Sequence, residues 1–254
     1  DMVLGNYFIT LEWAKEDFFA LVSTDGDSDR PLLSDENGEW LRGDVLGILA
    51  ATALGISSVA TPVSCNTALE KCNRFKKICR TRIGSPYVIE GMESLAQDFN
   101  SIAGYEANGG FLLQTDVEKA GKILKALPTR DALLPIISVL VNAKNLKIKV
   151  SDLLKELPSR FSASDRLKNF PTERSKQKIA EIKSENLGEV LFGKFSGKLK
   201  SIDETDGFRM TFDSEEIIHL RPSGNAPELR CYVEATSQER AKKLLTDCIQ
   251  VLES

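Results

Sequence analysis

The chain has 254 residues, of which 42% are hydrophobic and 28% charged, and its 33 basic and 37 acidic residues leave a net charge of −4. This composition belongs to a folded globular chain and excludes an extended disordered one. The slight acidic excess offers no general attraction to nucleic acid or to an anionic membrane.

Residues 18–23 form a short apolar run, Phe-Phe-Ala-Leu-Val-Ser, that breaks into Thr24-Asp25-Gly26. A buried strand is expected to deliver the chain into this acidic loop. Asp44 is placed to cap a helix whose Val45, Ile48, Leu49 and Ala53 recur at helical spacing, and residues 57–63 read as a strand. A further strand near 78–83 leads to Ser85-Pro86, a cap and a first-turn proline that open a helix through Met92 and Leu95. Residues 102–105 read as another strand, ending in Glu106-Ala-Asn108-Gly109-Gly110. Residues 131–140 are almost wholly apolar and predict a buried helix, with Pro135 tolerated in its first turn. The alternation predicts an α/β domain with a mostly parallel mixed sheet over residues 34–150.

From Ser151 the pattern changes to that of a smaller α+β domain with an antiparallel sheet, residues 151–254. A short helix to Leu157, a Ser-rich stretch and a charged helix over 172–184 precede strands joined by turns. Asp206-Gly207 signals a two-residue hairpin. Phe208, Met210 and Phe212 then alternate with Arg209 and Thr211, and Leu229, Cys231 and Val233 with Arg230, Tyr232 and Glu234. Thr236-x-x-Glu239 reads as a capping box for a closing helix with apolar Ala241, Leu244, Leu245, Cys248, Ile249 and Leu252.

No apolar run approaches the ~18 residues that cross a bilayer, and the first residues lack a basic-then-apolar leader pattern, so a cytoplasmic protein is expected. The five cysteines, Cys65, Cys72, Cys79, Cys231 and Cys248, are an odd set without a Cys-x-x-Cys pair, which points to buried thiols rather than disulfides or zinc.

Two loops carry chemistry. Asp25, Asp27 and Asp29 put three carboxylates at alternating positions of a glycine-containing turn, a hard oxygen set that suits Mg²⁺ or Ca²⁺. The spacing also fits a calcium loop of the EF-hand type, with Glu36 at its twelfth position, although Arg30 stands where that loop needs glycine. A solvated acidic turn is the plain alternative. Arg221-Pro-Ser223-Gly224-Asn225 combines a guanidinium, a hydroxyl, an amide and a glycine between two predicted strands, which makes either an anion nest or a polar hairpin turn. Arg230 adds a second fork if it shares that face. Glu106 and Asn108 stand at a strand end, where open α/β sheets bind ligands, with groups suited to sugar hydroxyls. Arg82 and Ser85 sit at another strand-to-helix turn, whose helix amino end is open to an anion or simply capped by the serine.

In this order the motifs resemble the α-D-phosphohexomutase family, which includes phosphomannomutases and phosphoglucomutases. Residues 24–31, Thr-Asp-Gly-Asp-Ser-Asp-Arg-Pro, resemble its Mg²⁺ loop; residues 104–110, Gly-Tyr-Glu-Ala-Asn-Gly-Gly, its sugar loop; and residues 221–230, Arg-Pro-Ser-Gly-Asn-Ala-Pro-Glu-Leu-Arg, its phosphate loop. Thr81-Arg82-Ile83-Gly84-Ser85 resembles the active-site turn of its third domain. The resemblance implies a remnant of the second family domain over residues 1–33, the third domain over 34–150 and the fourth over 151–254. It implies that an active-site phosphoserine exchanges a phosphoryl group between the 1 and 6 positions of a hexose phosphate by way of a hexose 1,6-bisphosphate. Mg²⁺ is then held by Asp25, Asp27 and Asp29, and Arg30 and Arg82 serve the reacting phosphoryl group. Glu106, Asn108 and Ser85 serve the sugar, while Arg221, Ser223, Gly224, Asn225 and Arg230 clamp the other phosphate. Mannose phosphate is preferred to glucose phosphate on the Glu-Ala-Asn-Gly-Gly loop.

The sequence departs from the family in three ways. The serine loop, usually of the Thr-Ala-Ser-His-Asn kind, is not found; Thr61-Pro-Val-Ser64-Cys-Asn66 is superficially similar but follows the metal loop. The chain alone is therefore expected to show no mutase turnover. Ser85 and Gly110 stand where many members carry histidine, and Asn225 replaces the usual threonine, so no acid/base group is assigned; His219 is expected to be structural. A non-catalytic module that binds a sugar phosphate or a divalent ion is the rival from another class. A metal-dependent phosphatase is disfavoured, because its nucleophilic Asp-x-Asp signature is not clearly matched.

Overall fold

A computed structural model describes residues 16–184 and 187–253, which divide into two compact units at Pro158 and Ser159. In the first unit, β1 (Val22–Thr24) and β2 (Pro31–Leu33) form an antiparallel ribbon around the acidic turn, with Thr24 opposite Pro31. The expected strand is shorter than the apolar run. Val22, Phe18 and Phe19 are exposed, because the ribbon has one partner strand and no layer over its outer side among the described residues. Leu33 anchors the ribbon in the core.

The chain continues through α1 (Gly43–Leu54), β3 (Ser58–Pro62), α2 (Ala68–Lys71), β4 (Lys77–Thr81), α3 (Ser85–Leu95), β5 (Ile102–Tyr105) and β6 (Phe111–Leu113). Then follow β7 (Val117–Lys119), β8 (Lys122–Leu124), β9 (Leu127–Asp131), α4 (Leu133–Leu146) and α5 (Val150–Lys155). Five strands make a sheet in the order β4-β3-β5-β6-β9. β4, β3 and β5 are parallel, and β6 is antiparallel to both its neighbours, so it alone runs against the rest. The central strands β3, β5 and β6 are buried on both sides, as a sheet covered by helices requires, while the edge strands β4 and β9 are partly exposed. Val59, Ala103, Tyr105, Phe111 and Leu113 pack with α1 and α4, whereas Ala60, Ile102 and Leu112 pack with α3 on the opposite face. The result is an α/β/α layer.

Several local expectations are corrected. Asp44 does not cap α1: it lies fully buried in the first turn, ion-paired with Arg42, and its Oδ2 accepts from the Asn66 backbone N–H, tying α1 to the β3–α2 loop. Gly84 is the N-cap of α3, so Ser85 is already helical and Pro86 is one residue further in. α4 is amphipathic rather than buried throughout, with Ile136, Val139 and Ala143 inside and Leu133, Ile137 and Val141 exposed. Asp131 serves its start, accepting from the Leu133 and Leu134 N–H groups. α5 belongs to the first unit, since Val150 and Leu153 complete its core; the change of unit falls after residue 158 rather than at 151.

The second unit comprises β10 (Phe161–Leu167), α6 (Thr172–Lys183), α7 (Leu187–Ser196), β11 (Leu199–Asp203), β12 (Phe208–Phe212), β13 (Ile217–Pro222), β14 (Leu229–Ala235) and α8 (Gln238–Glu253). The sheet is wholly antiparallel in the order β10-β14-β13-β12-β11. The alternation holds: Phe208, Met210, Phe212, Leu229, Cys231 and Val233 join Ile182, Phe192, Leu244 and Cys248 in one core. The Ser-rich stretch is strand β10, and the β11–β12 connection is four residues, 204–207, rather than two. The cap of α8 is Ser237, whose Oγ accepts from Arg240 N–H, not the Thr236 and Glu239 pair. All five cysteines are free, and among the described residues no helix is long and apolar enough to cross a membrane.

Candidate functional site

The acidic turn is held by its own backbone. Asp25 Oδ1 accepts from the N–H groups of Asp29 at 3.2 Å and Arg30 at 3.1 Å, and Ser28 takes a positive φ of 61° to close the turn. One oxygen from each of Asp25, Asp27 and Asp29 lies within 4.8 Å of the others. Arg30 Nε lies 3.4 Å from Asp25 and 3.5 Å from Asp29. Asp29 Oδ1 is buried without a hydrogen-bond partner. Three carboxylates that can bring one oxygen each within 4.8 Å, one of them carrying a buried oxygen without a hydrogen bond, form a donor set that fits a hard divalent cation. The EF-hand alternative does not fit, because Glu36 is engaged elsewhere, accepting from the Ser151 N–H and hydroxyl.

Glu106 follows β5, 7% exposed, and its Oε2 accepts from the Ser85 hydroxyl at 3.1 Å. Two residues of the expected sugar site are thus in contact. Asn108 is exposed, and its Oδ1 accepts from Gly110 N–H at 3.0 Å, which shapes the turn. Gly109 has a φ of 93°, and a Cβ there would stand 2.8 Å from Pro31 Cγ. A Cβ on Gly43 would strike the Gly109 backbone. The 106–110 loop is therefore packed closely against the Pro31 ring at the exit of the acidic loop and against the backbone at the start of α1.

Arg130 joins the two loops. From β9 its Nη2 reaches Asp29 Oδ2 at 2.5 Å, its Nη1 lies 3.9 Å from Glu106 Oε2, and a Cβ on Gly110 would meet its Cδ. Sequence reasoning missed this residue. The one available signal was a basic side chain at the carboxyl end of a strand, where open α/β sheets hold their ligands. Arg82 lies over the Tyr87 ring at 5.7 Å and lines a cleft of about 410 Å³ with Cys79, Glu90 and Ser94.

In the second unit the phosphate-loop candidates connect β13 to β14. Ser223 N–H donates to Glu228 O at 2.9 Å and closes the loop, and Asn225 N–H donates to the Ser223 hydroxyl at 3.4 Å. Ser223 is buried, while Gly224 and Asn225 are exposed at the tip. Arg221 stands directly opposite Arg230 across the strands. Arg221 Nε donates to Asp206 Oδ2 at 2.8 Å, and Asp206 O accepts from His219 Nε2 at 2.6 Å. A carbonyl can only accept, so the Nε2 of His219 carries the proton. Burial pushes this imidazole down from 6.5 to about 4, against the raising effect of the Asp206 hydrogen bond. His219 also lies against Tyr232, with ring centroids 5.4 Å apart, as expected of a structural histidine.

The folds and loops together define a class. The alpha/beta/alpha domain III model of phosphoglucomutase/phosphomannomutase matches residues 42–161, and the C-terminal domain model of the same family matches residues 146–250. The chain belongs to this family, the α-D-phosphohexomutases. It is 49% identical over 252 residues to a phosphomannomutase of Salmonella muenchen, an alignment covering 96% of this chain and 51% of that protein. A phosphoglucomutase/phosphomannomutase family protein from Burkholderia thailandensis shares the fold at a TM-score of 0.71 and 17% identity, over 96% of this chain and 48% of that one. N-acetylphosphoglucosamine mutase of Aspergillus fumigatus, solved with GlcNAc-6P and magnesium, aligns at a TM-score of 0.62 and 18% identity, over 92% and 48%. The chain thus spans about half the length of the relatives it matches.

Proposed function

We propose that this chain carries the metal, sugar and phosphate loops of a cytoplasmic phosphohexomutase. It moves a phosphoryl group between the 1 and 6 positions of a hexose phosphate, with a phosphoserine as donor and a hexose 1,6-bisphosphate as intermediate. The observation that carries the reading is Arg130, which bridges Asp29 of the acidic turn and Glu106 of the sugar loop and so makes one locus of two motifs. Asp25, Asp27 and Asp29 hold Mg²⁺, which supplies neutralisation of charge on the transferring phosphoryl group. Glu106, oriented by Ser85, and Asn108 take sugar hydroxyls. Arg221, Ser223, Gly224, Asn225 and Arg230 hold the phosphate that is not reacting, and Arg30 and Arg82 add positive charge for the one that is. Phosphoryl transfer asks for positioning and charge neutralisation more than for covalent chemistry from side chains, which is what these loops offer. The magnesium and sugar phosphate bound by the Aspergillus relative agree with this division. Mannose phosphate is the preferred substrate, in line with the Salmonella relative, and glucose phosphate the next.

The test is metal and ligand binding by the whole chain. Mg²⁺ is expected to raise the melting temperature, with most of the rise lost in Asp27→Asn. Mannose 1,6-bisphosphate is expected to bind more weakly to Glu106→Gln than to the wild type. An unchanged Mg²⁺ shift in Asp27→Asn places the cation elsewhere and overturns the reading.

A further inference from the structure

The register of the second unit's sheet sets three arginines in one row. Arg166 on β10 lies opposite Arg230 on β14, and Arg230 lies opposite Arg221 on β13. Residues directly opposite in an antiparallel pair project from the same face. The adjacent row is Leu167, Leu229 and Pro222, of which Leu167 and Leu229 point into the core shared with the helices. Side chains alternate along a strand, so the three arginines stand on the other face.

Three like charges in register destabilise a sheet unless an anion lies among them. In the chain itself the carboxylate of Glu228 takes that place. Its Oε1 is 3.2 Å from Arg166 Nε and its Oε2 is 3.5 Å from Arg230 Nε, while Asp206 answers Arg221. The satisfaction is incomplete: Arg230 Nε is buried without a hydrogen-bond partner. The side chains of Arg166 and Arg230 remain 50% and 36% exposed, so both are within reach of a ligand. One carboxylate spread between two guanidinium groups occupies the position of a tetrahedral anion, whose three oxygens would serve the same forks more completely.

We propose that Arg166 is a phosphate-contacting residue. With Arg230 and Arg221 it forms a clamp of three guanidinium groups for a dianionic phosphate monoester, and the bound phosphate displaces Glu228 from between Arg166 and Arg230. This rests on the reading of residues 221–230 as the phosphate loop. The clamp extends across β14 to β10, beyond the loop itself.

The experiment is titration calorimetry of the full chain with inorganic phosphate and with mannose 6-phosphate, each variant first checked for a native circular dichroism spectrum. Arg166 is half exposed on an edge strand, so Arg166→Met is expected to fold. It should weaken both ligands about tenfold, the loss of one charge-assisted fork. Glu228→Gln should tighten both, because the internal competitor loses its charge. Arg221→Met is the control for the loop. Wild-type binding by Arg166→Met beside impaired binding by Arg221→Met overturns the proposal and leaves the loop reading standing. Wild-type binding by both variants, or no binding by the wild type, removes the loop reading and the proposal together.

Discussion

Arg130 closes on Asp29 at 2.5 Å, so a cation of the chain's own sits against one of the three carboxylates of the proposed metal site. The arrangement sets a competition. A fixed positive charge beside a metal site opposes the incoming cation, and the effect is moderate because Arg130 is 30% exposed. Arg130→Met is therefore expected to raise Mg²⁺ affinity by about fivefold, the size of a partly screened charge interaction. The same variant should weaken sugar phosphate binding, because Glu106 loses a neighbouring cation. Titration of Mg²⁺ and of mannose 1,6-bisphosphate into the variant checks both directions; a fall in Mg²⁺ affinity would show that the arginine supports the metal loop instead.

The contact of Gly43 with Gly109 gives a second expected outcome. A methyl group on Gly43 would meet the backbone of Gly109 and Asn108, and backbone cannot rotate aside as a long side chain does. Gly43→Ala should cost about 1 to 3 kcal/mol of stability, as overpacking of a close-packed site does. It should also weaken sugar phosphate binding more than Mg²⁺ binding, since residues 106–110, the proposed sugar loop, are what must shift. Urea unfolding gives the first quantity and calorimetry the second.

How much of this was legible in the sequence follows from where each signal resides. β3 and β5 were read because Ser58–Pro62 and Ile102–Tyr105 are buried on both faces and bounded by turn residues. β10 was not, because Phe161–Leu167 is an edge strand whose Ser, Asp and Arg side chains are largely exposed, with Leu167 alone fully engaged in the core. The β7–β8 hairpin was passed over for the same reason: its Glu118, Lys119 and Lys122 satisfy no apolar period. The acidic loop and the candidate sugar and phosphate loops are local patterns, legible from adjacent residues. Arg130, Asp206 and Arg166 pair with Asp29, Arg221 and Glu228, all distant in sequence, and only the fold brings these partners together. Asp206 was visible, but only as half of a turn signal.

The buried His219 imidazole makes the second unit's stability depend on pH. Its pKa falls from 6.5 to about 4, chiefly through burial, with Arg209 and Arg221 adding to the depression and Asp206 opposing it. The unfolded chain binds this proton first as the pH drops, so the contribution of neutral His219 is complete above about 6.5 and is lost progressively toward about 4. A depression of this size corresponds to about 3 kcal/mol. Urea midpoints measured across this window should fall more steeply for the wild type than for His219→Gln, which keeps a donor for the Asp206 carbonyl but does not titrate. Parallel slopes would assign the pH dependence to carboxylates elsewhere.

Asp206 holds both ends of the same structure: its carbonyl accepts a hydrogen bond from His219 Nε2–H and its carboxylate accepts one from Arg221 Nε–H. The turn that carries it is pressed against β13, since Gly207 has a φ of 91° and a Cβ there would meet Leu220 O and the Arg221 Cα. Arg221 is thereby fixed through its Nε, and in the proposed phosphate loop its terminal nitrogens would be the ones to contact the anion. Two substitutions separate positioning from charge. Asp206→Asn keeps an oxygen acceptor while removing a negative charge near the site, so phosphate affinity should stay within about twofold of the wild type. Asp206→Ala removes the acceptor and frees the guanidinium to sample other rotamers, so affinity should fall about three- to tenfold, the cost of a binding group left without its support. Calorimetry with inorganic phosphate distinguishes the two. If Asp206→Ala instead binds phosphate more tightly, the carboxylate is a competitor for Arg221 rather than its support.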